Sequence, residues 1–186
     1  MKIAAKLAEA SKQPITPRRR FLAKALPLFV YLFFFPSLLF IFPKMFLDHW
    51  LQLPTLLNPI ARAVLAGFLI IPGVFFLFSS IMAQRKIGMG TPMPLMATQK
   101  LVIKKPYSYC RNPLFFGLFI LFGGISILID SISSIVMVLI FSSIILLYVK
   151  LIEEKELEKR FGDEYLDYKK NTPFIIPTFL SNRRKK

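Results

Sequence analysis

The chain has 186 residues, of which 55% are hydrophobic, with a mean hydropathy of +0.56 and a formal net charge of +15. This length suits one domain, and so apolar a composition excludes an ordinary soluble domain. The single Cys110 excludes an internal disulfide and a cysteine metal cluster, and the single His49 provides no metal-ligand cluster. We therefore expect an integral membrane protein without a metal.

Four stretches contain no Asp, Glu, Lys or Arg, and each reaches the roughly 18–20 residues that a helix needs to cross a bilayer. They are residues 25–43, 63–84, 112–129 and 131–149. The sequence thus predicts an all-α integral membrane fold with about four transmembrane helices, the last two forming a C-terminal helical hairpin.

Basic residues alternate with these apolar stretches along the chain. Residues 1–24 contain seven Lys or Arg and one acid, and residues 85–111 contain six and no acid. Residues 44–62, by contrast, contain two basic residues and one acidic residue. This pattern predicts a multi-pass protein with both termini cytoplasmic. The charge indicates contact with anionic membrane lipid, and we expect no nucleic-acid partner.

The N-terminal part combines a basic arm with two predicted spans. The arm has no small-residue cleavage pattern, so we expect an uncleaved first helix. Pro72 and Gly73 predict a break in the second span. Residues 84–111 are polar and rich in Gly and Pro, which predicts a functional loop without regular helix. The apolar residues 101–103 predict ordered packing inside that loop.

The C-terminal part predicts a tight turn and two further helical segments. Residues 130–133 leave room for only a short turn between the third and fourth spans. The fourth helix is predicted to continue beyond the bilayer to Phe161 and to end at Gly162, because Gly is favoured just after a helix. A short final helix is predicted over 164–170.

The third span begins with a polar helix-start signal. Asn112 is a good N-cap residue and Pro113 suits the first helical position, so we expect a helix from Pro113. Its free N–H groups, with Arg111 beside them, favour an anionic group. The same residues are also typical of a capped transmembrane helix with a positive flank and no ligand. Position alone leaves both interpretations open.

Several motifs between Gly88 and Pro177 occur in an order and spacing that resemble a known family. They are Gly88-x-Gly90-Thr91-Pro92, Pro106-Tyr107-Ser108-Tyr109, Arg111-Asn112-Pro113-x-x-x-Gly117, Glu153-Glu154 and Phe161-Gly162-x-x-Tyr165-x-x-Tyr168. This half of the chain resembles the isoprenylcysteine carboxyl methyltransferases and phospholipid methyltransferases, which are integral membrane enzymes that use S-adenosylmethionine.

The resemblance implies a set of site residues. Catalytic roles fall on Arg111, Asn112 and Glu153. Cofactor-binding roles fall on Gly88, Gly90, Gln99, Leu101, Val102, Tyr107, Asn112, Pro113, Leu114, Phe115, Glu153 and Glu154. A carboxylate can accept hydrogen bonds from a ribose diol or pair with the cofactor ammonium. Arg111 and the helix start at Pro113 would complement the methionyl carboxylate.

The resemblance also implies an organisation and partners. It divides the chain into a basic N-terminal arm (1–24), two transmembrane helices (25–84), a catalytic region with the transmembrane hairpin (85–177) and a basic tail (178–186). A cytoplasmic loop and helices would hold S-adenosylmethionine. The expected partners are a lipophilic methyl acceptor, isoprenylcysteine carboxylate-like or lipid, entering from the bilayer, and membrane lipid.

Two positions depart from the family's commonest turn, Arg-His-Pro-x-Tyr-x-Gly. Asn112 stands for His and cannot titrate, and Phe115 stands for Tyr and lacks its hydroxyl. Two alternatives stay open. One is an NADPH-dependent membrane reductase of the sterol reductase type, whose C-terminal region is similar. The other, which the two departures allow, is a non-catalytic membrane protein that retains the fold.

Overall fold

The computed structural model describes residues 33–88 and 99–179. The predictions for the arm 1–24, for Gly90 and for the tail beyond Phe179 lie outside these residues. All regular structure in the described ranges is helical, without a strand. The all-α part of the predicted fold class is therefore confirmed for these ranges.

Six helical elements follow one another in the described residues. Helix α1 comprises two π-helical segments and a final α-helical turn, and a π-helical segment joins α4 to α5. Their bounds are α1 (Ser37–Ile41, Pro43–Leu47 and Asp48–Trp50), α2 (Pro59–Lys86), α3 (Pro113–Leu128), α4 (Ile132–Tyr148), the junction Val149–Glu153, α5 (Glu154–Phe161) and α6 (Asp163–Asn171).

Two described helices are long and apolar enough to cross a membrane. They are Pro59–Lys86 and the continuous helix Ile132–Phe161, whereas Pro113–Leu128 is apolar but has only 16 residues. Large apolar side chains of α2 point outward, with Phe68 75% and Phe78 65% exposed. Such a surface is unfavourable in water and suits hydrocarbon. These features support a membrane protein; four crossings with cytoplasmic termini remain a prediction.

Helices α2 and α3 approach closely through small residues. A Cβ at Gly117 would lie 2.7 Å from the Leu77 backbone nitrogen, and one at Gly73 would lie 2.8 Å from the Leu121 nitrogen. Only glycine permits this backbone approach. The predicted break at Pro72 is wrong, because α2 continues through it as one helix. The close contact fixes the start of α3 beside the end of α2.

The turn between α3 and α4 is the centre of a network of polar contacts at one end of the helices. Asp130 has a positive φ of 55°. Its carboxylate accepts from the Leu56 N–H at 3.1 Å and lies 3.3 Å from Arg62. The Lys44 ammonium donates to the Asp130 carbonyl at 2.7 Å. The predicted tight hairpin is confirmed, and these polar contacts connect it to α1 and α2.

The other end of the helices carries the loop and the C-terminal segments. Helix α5 ends at Gly162 as predicted, with φ +54°, and α6 follows at once. The chain then returns along the loop that precedes α3. The Arg111 N–H donates to the Pro173 carbonyl at 2.8 Å, and the Thr178 N–H donates to the Tyr109 carbonyl at 3.0 Å. These bonds hold the C-terminal segment against the loop.

Candidate functional site

A cavity lies where the end of α2, the loop 99–112, the start of α3 and helices α5 and α6 meet. Its volume is about 90 Å³. Typical ligand pockets measure roughly 300–1,000 Å³, so these residues enclose only part of a nucleotide-sized ligand. The lining residues are Gln84, Leu101, Val102, Tyr107, Arg111, Asn112, Leu114, Phe115, Glu153, Leu157, Tyr165 and Tyr168.

The structure brings most of the sequence-predicted site residues to this cavity. All three residues with an expected catalytic role line it. So do five with only a cofactor role: Leu101, Val102, Tyr107, Leu114 and Phe115. Gly88, Gln99, Pro113 and Glu154 do not line it. Instead, the Gly88 carbonyl accepts from the Gln99 N–H at 2.7 Å.

Glu154 is buried in an ion-pair network beside the cavity. It is 3% exposed, and its carboxylate lies 2.8 Å from Arg111 and 2.7 Å from Lys169. Lys169 also contacts Glu158 at 2.8 Å. A buried acid with two cationic partners holds its neighbours in place. Glu154 thus links α5 to Arg111 and to α6.

Most of the Arg111 guanidinium is occupied by the protein. Its Nη1 donates to the Lys169 carbonyl at 2.6 Å, its Nη2 pairs with Glu154, and its Cζ lies 5.7 Å from the centre of the Phe174 ring. Its Nε is buried without a hydrogen-bond partner among the described residues. Glu154 offsets the charge of Arg111, so a ligand carboxylate here would compete with that pair.

Asn112 is held by the C-terminal segment. Helix α3 begins at Pro113 as predicted, but the expected side-chain cap is wrong, because Asn112 makes no capping bond. Its Nδ2 donates instead to the Phe174 carbonyl at 2.9 Å. This bond fixes the amide through its donor, whereas a cap would have used its Oδ1 as the acceptor. The Asn112 Oδ1 is left as the atom that can accept from a ligand in the cavity.

Glu153 has a different environment from its neighbour Glu154. It lines the cavity and forms no ion pair within the described ranges. It follows Val149, where the charge-free run ends, and so lies beyond the apolar part of the helix. Burial, together with the charges of Glu156 and Glu154, raises the pKa of Glu153 to about 7. A carboxylate in such a site is suited to bind a cation or hydroxyl groups.

The cavity lining also contains a chain of hydrogen bonds that the sequence did not predict. The Gln84 Nε2 donates to the Tyr107 hydroxyl oxygen at 2.5 Å, and the Tyr168 hydroxyl donates to the Tyr107 carbonyl at 2.6 Å. The Gln84 Oε1 is buried without a partner in the described part of the chain. Val102, 6% exposed, packs against Tyr107 beside these groups.

Four lining residues were absent from the predicted site: Gln84, Leu157, Tyr165 and Tyr168. The two tyrosines belong to the motif that follows Phe161, which is the signal that could have found them. Leu157 is an apolar residue in the otherwise mostly charged helix α5, and that contrast is its only signal in the sequence. Gln84 closes a charge-free run, and no sequence pattern distinguishes it.

The lining groups fit the chemistry of S-adenosylmethionine. That molecule combines a sulfonium cation, an ammonium, a carboxylate, a ribose diol and a flat adenine. The cavity offers the Glu153 carboxylate and aromatic rings, together with an acceptor at Gln84 and a donor at Arg111 that have no hydrogen-bond partner in residues 33–88 and 99–179. Aromatic faces attract cations. Within residues 33–88 and 99–179 no cluster of His, Cys, Asp and Glu could hold a metal ion.

Comparison with known proteins identifies a family. A protein-family model described as phospholipid methyltransferase matches residues 61–164, which is more than half of the chain. No curated protein and no solved structure matches it. The matched segment runs from the start of α2 into α6 and contains Gln84, Asn112 and Glu153, whereas Tyr165 and Tyr168 lie just beyond its end.

Proposed function

The chain belongs to the phospholipid methyltransferase family, and on that premise we propose that it transfers a methyl group from S-adenosylmethionine to a lipophilic acceptor. The family points to a membrane methyltransferase; the cofactor and the kind of acceptor are our proposal. The observation that carries it is the Glu153 carboxylate, which has no ion pair among the described residues and lines a cavity at the polar end of apolar helices.

Glu153 is the proposed anchor of the cofactor. Its carboxylate can accept two hydrogen bonds from the ribose diol or pair with the ammonium. Removal from water raises the free energy of this charge, and a bound ligand with complementary donors offsets that cost. The Asn112 Oδ1 adds a neutral acceptor on the adjacent wall. Phe115 and Tyr165 supply aromatic surface that is favourable near a cationic sulfur.

The proposed catalysis rests on orientation and exclusion of water. S-adenosylmethionine supplies a methyl group on positively charged sulfur. The apolar side chains of Leu114, Phe115 and Leu157 would keep water from the reacting atoms. Asn112 can orient the methyl-accepting substrate through hydrogen bonds. It cannot act as a general base, because its amide does not titrate. Alignment of the two reactants therefore supplies most of the expected rate enhancement.

The proposed acceptor reaches the cavity from the bilayer. The cavity lies at the ends of α2 and α3, whose outward surfaces are apolar. If these helices cross the membrane, the cavity lies near its surface, where an amphiphilic molecule places its polar group. We further propose a multi-pass arrangement with both termini cytoplasmic, as the alternation of basic segments indicates.

The test is a binding titration of the purified full-length protein in detergent. S-adenosylmethionine should bind, and Glu153→Gln should weaken binding at least tenfold. Glu164→Gln is the matched control, because Glu164 is exposed on α6 and does not line the cavity. Binding of NADPH without binding of S-adenosylmethionine would overturn the proposal in favour of a reductase.

A further inference from the structure

Gln84 and Tyr107 place a hydrogen-bond acceptor and a donor side by side at one edge of the cavity. The Gln84 Nε2 donates to the Tyr107 hydroxyl oxygen, so the Tyr107 proton is free to be donated elsewhere. The Gln84 Oε1 is buried and accepts from no described group. A buried polar atom without a partner is costly and calls for a ligand or water to satisfy it.

The walls beside this polar pair are apolar and suit a flat ring. Leu101 and Val102 also line the cavity. Val102 packs with Ala83 and Tyr107, and Tyr168 covers the group from α6. A ring between such walls has its faces in apolar contact, and hydrogen bonds remain possible only at its edge.

We propose that Gln84 and Tyr107 recognise the N6–N1 edge of adenine. This inference rests on the proposed function, because it assigns a part of that site to a part of S-adenosylmethionine. The Gln84 Oε1 accepts from the adenine 6-amino group, and the Tyr107 hydroxyl donates to N1. Neither residue then leaves a buried polar atom unsatisfied.

Tyr107 is suited to the role of a permanent donor. Burial raises the pKa of its hydroxyl well above the usual range, and the nearby charge of Glu153 contributes in the same direction. The hydroxyl therefore keeps its proton at neutral pH. The Tyr168 hydroxyl, bonded to the Tyr107 carbonyl, fixes the backbone that carries this ring.

The proposed pair discriminates adenine from hypoxanthine. Hypoxanthine has an oxygen acceptor in place of the 6-amino group and carries a hydrogen on N1. Its oxygen would face the Gln84 Oε1, and its N1–H would face the Tyr107 hydroxyl proton. In the described orientation both contacts become repulsive or unsatisfied, and relief requires the Gln84 amide and the Tyr107 hydroxyl to reverse together. That requirement lowers affinity although the two rings have nearly the same shape.

The experiment compares S-adenosylhomocysteine with S-inosylhomocysteine as ligands of the purified full-length protein in detergent. The wild type should bind the adenine compound at least tenfold more tightly. Gln84→Met keeps the length of the side chain and removes its polar atoms, so the preference should fall to about twofold or less. Tyr107→Phe removes the donor to N1 and should lower the preference as well.

Gln52→Met is the matched control. Gln52 precedes the start of α2, whereas the cavity lies at the end of α2, and Gln52 does not line that cavity. It should keep the full preference. Equal binding of both compounds by the wild type overturns the inference, as does a preference that survives in both Gln84→Met and Tyr107→Phe. If the wild type binds neither compound, the proposed function itself fails, and this inference fails with it.

Discussion

Glu153 and Glu154 are adjacent in the chain, yet only Glu154 is ion-paired in the described structure. Glu154 lies 2.8 Å from Arg111 and 2.7 Å from Lys169, whereas Glu153 lines the cavity. Neighbouring positions on a helix point about 100° apart, so two consecutive acids face different surroundings. We therefore propose different roles for the two acids: Glu154 holds the site together, and Glu153 binds the ligand.

Replacement of Glu154 by Ala should destabilise the fold. Arg111, whose side chain is 10% exposed, would lose its anionic partner, and breaking a buried pair costs about 3–5 kcal/mol. Thermal unfolding in detergent measures this effect. The control is Glu156→Ala, whose partner Arg160 lies one helical turn away at a partly exposed position. That change should cost less than about 1 kcal/mol, and equal losses in both variants would contradict the assigned role.

Cofactor binding should depend on pH through Glu153. Its pKa of about 7 means that the carboxyl is neutral below that pH and ionised above it. Affinity for S-adenosylmethionine should be full above pH 7 and fall up to tenfold for each pH unit below. Glu153→Gln should bind weakly at every pH. An unchanged pH profile in that variant would show that another group controls binding.

The same carboxyl should lower the stability of the ligand-free protein. Because the pKa is raised in the folded state from 4.5 to about 7, folding binds a proton in that window, and stability falls as pH rises through it. Glu153→Gln should therefore raise the melting temperature at pH 8 and change it little at pH 4. A variant that is less stable than the wild type at pH 8 would contradict the assigned environment.

The contact between α2 and α3 should be intolerant of a methyl group at Gly117. A Cβ there would lie 2.7 Å from the Leu77 nitrogen and 2.8 Å from the Gly73 carbonyl oxygen, and backbone atoms cannot move aside locally. Gly117→Ala should cost about 1–3 kcal/mol. Gly123→Ala is the matched control, because its Cβ would meet no atom within 4 Å. It should be neutral or stabilising by up to about 1 kcal/mol.

Local signals in the sequence were enough to predict most helix ends. Pro113 begins a helix, Gly162 ends one, and the short turn at Asp130 joins two. Each depends on the preference of one residue type for a backbone geometry. The predicted break at Pro72 failed because α2 packs against α3 on both sides of it, and that packing outweighs a local preference.

Tertiary contacts decided the parts of the site that the sequence did not predict. Asn112 has the residue type of an N-cap, but the Phe174 carbonyl, 62 positions away, binds its amide. Gln84 belongs to the cavity only because Tyr107 from the loop lies against it. The order of motifs predicted which segments meet. The different environments of Glu153 and Glu154, from which we propose different roles, became visible only with the positions of Arg111 and Lys169.

Transfer of a labelled methyl group is the decisive test of the proposed activity. Membranes that contain the protein are incubated with methyl-labelled S-adenosylmethionine, and the lipid extract is analysed. We expect a labelled lipophilic product with the wild type and with Glu164→Gln, and a loss of at least tenfold with Glu153→Gln. Equal labelling by Glu153→Gln and the wild type, or no labelled product from a wild type that binds NADPH, would contradict it.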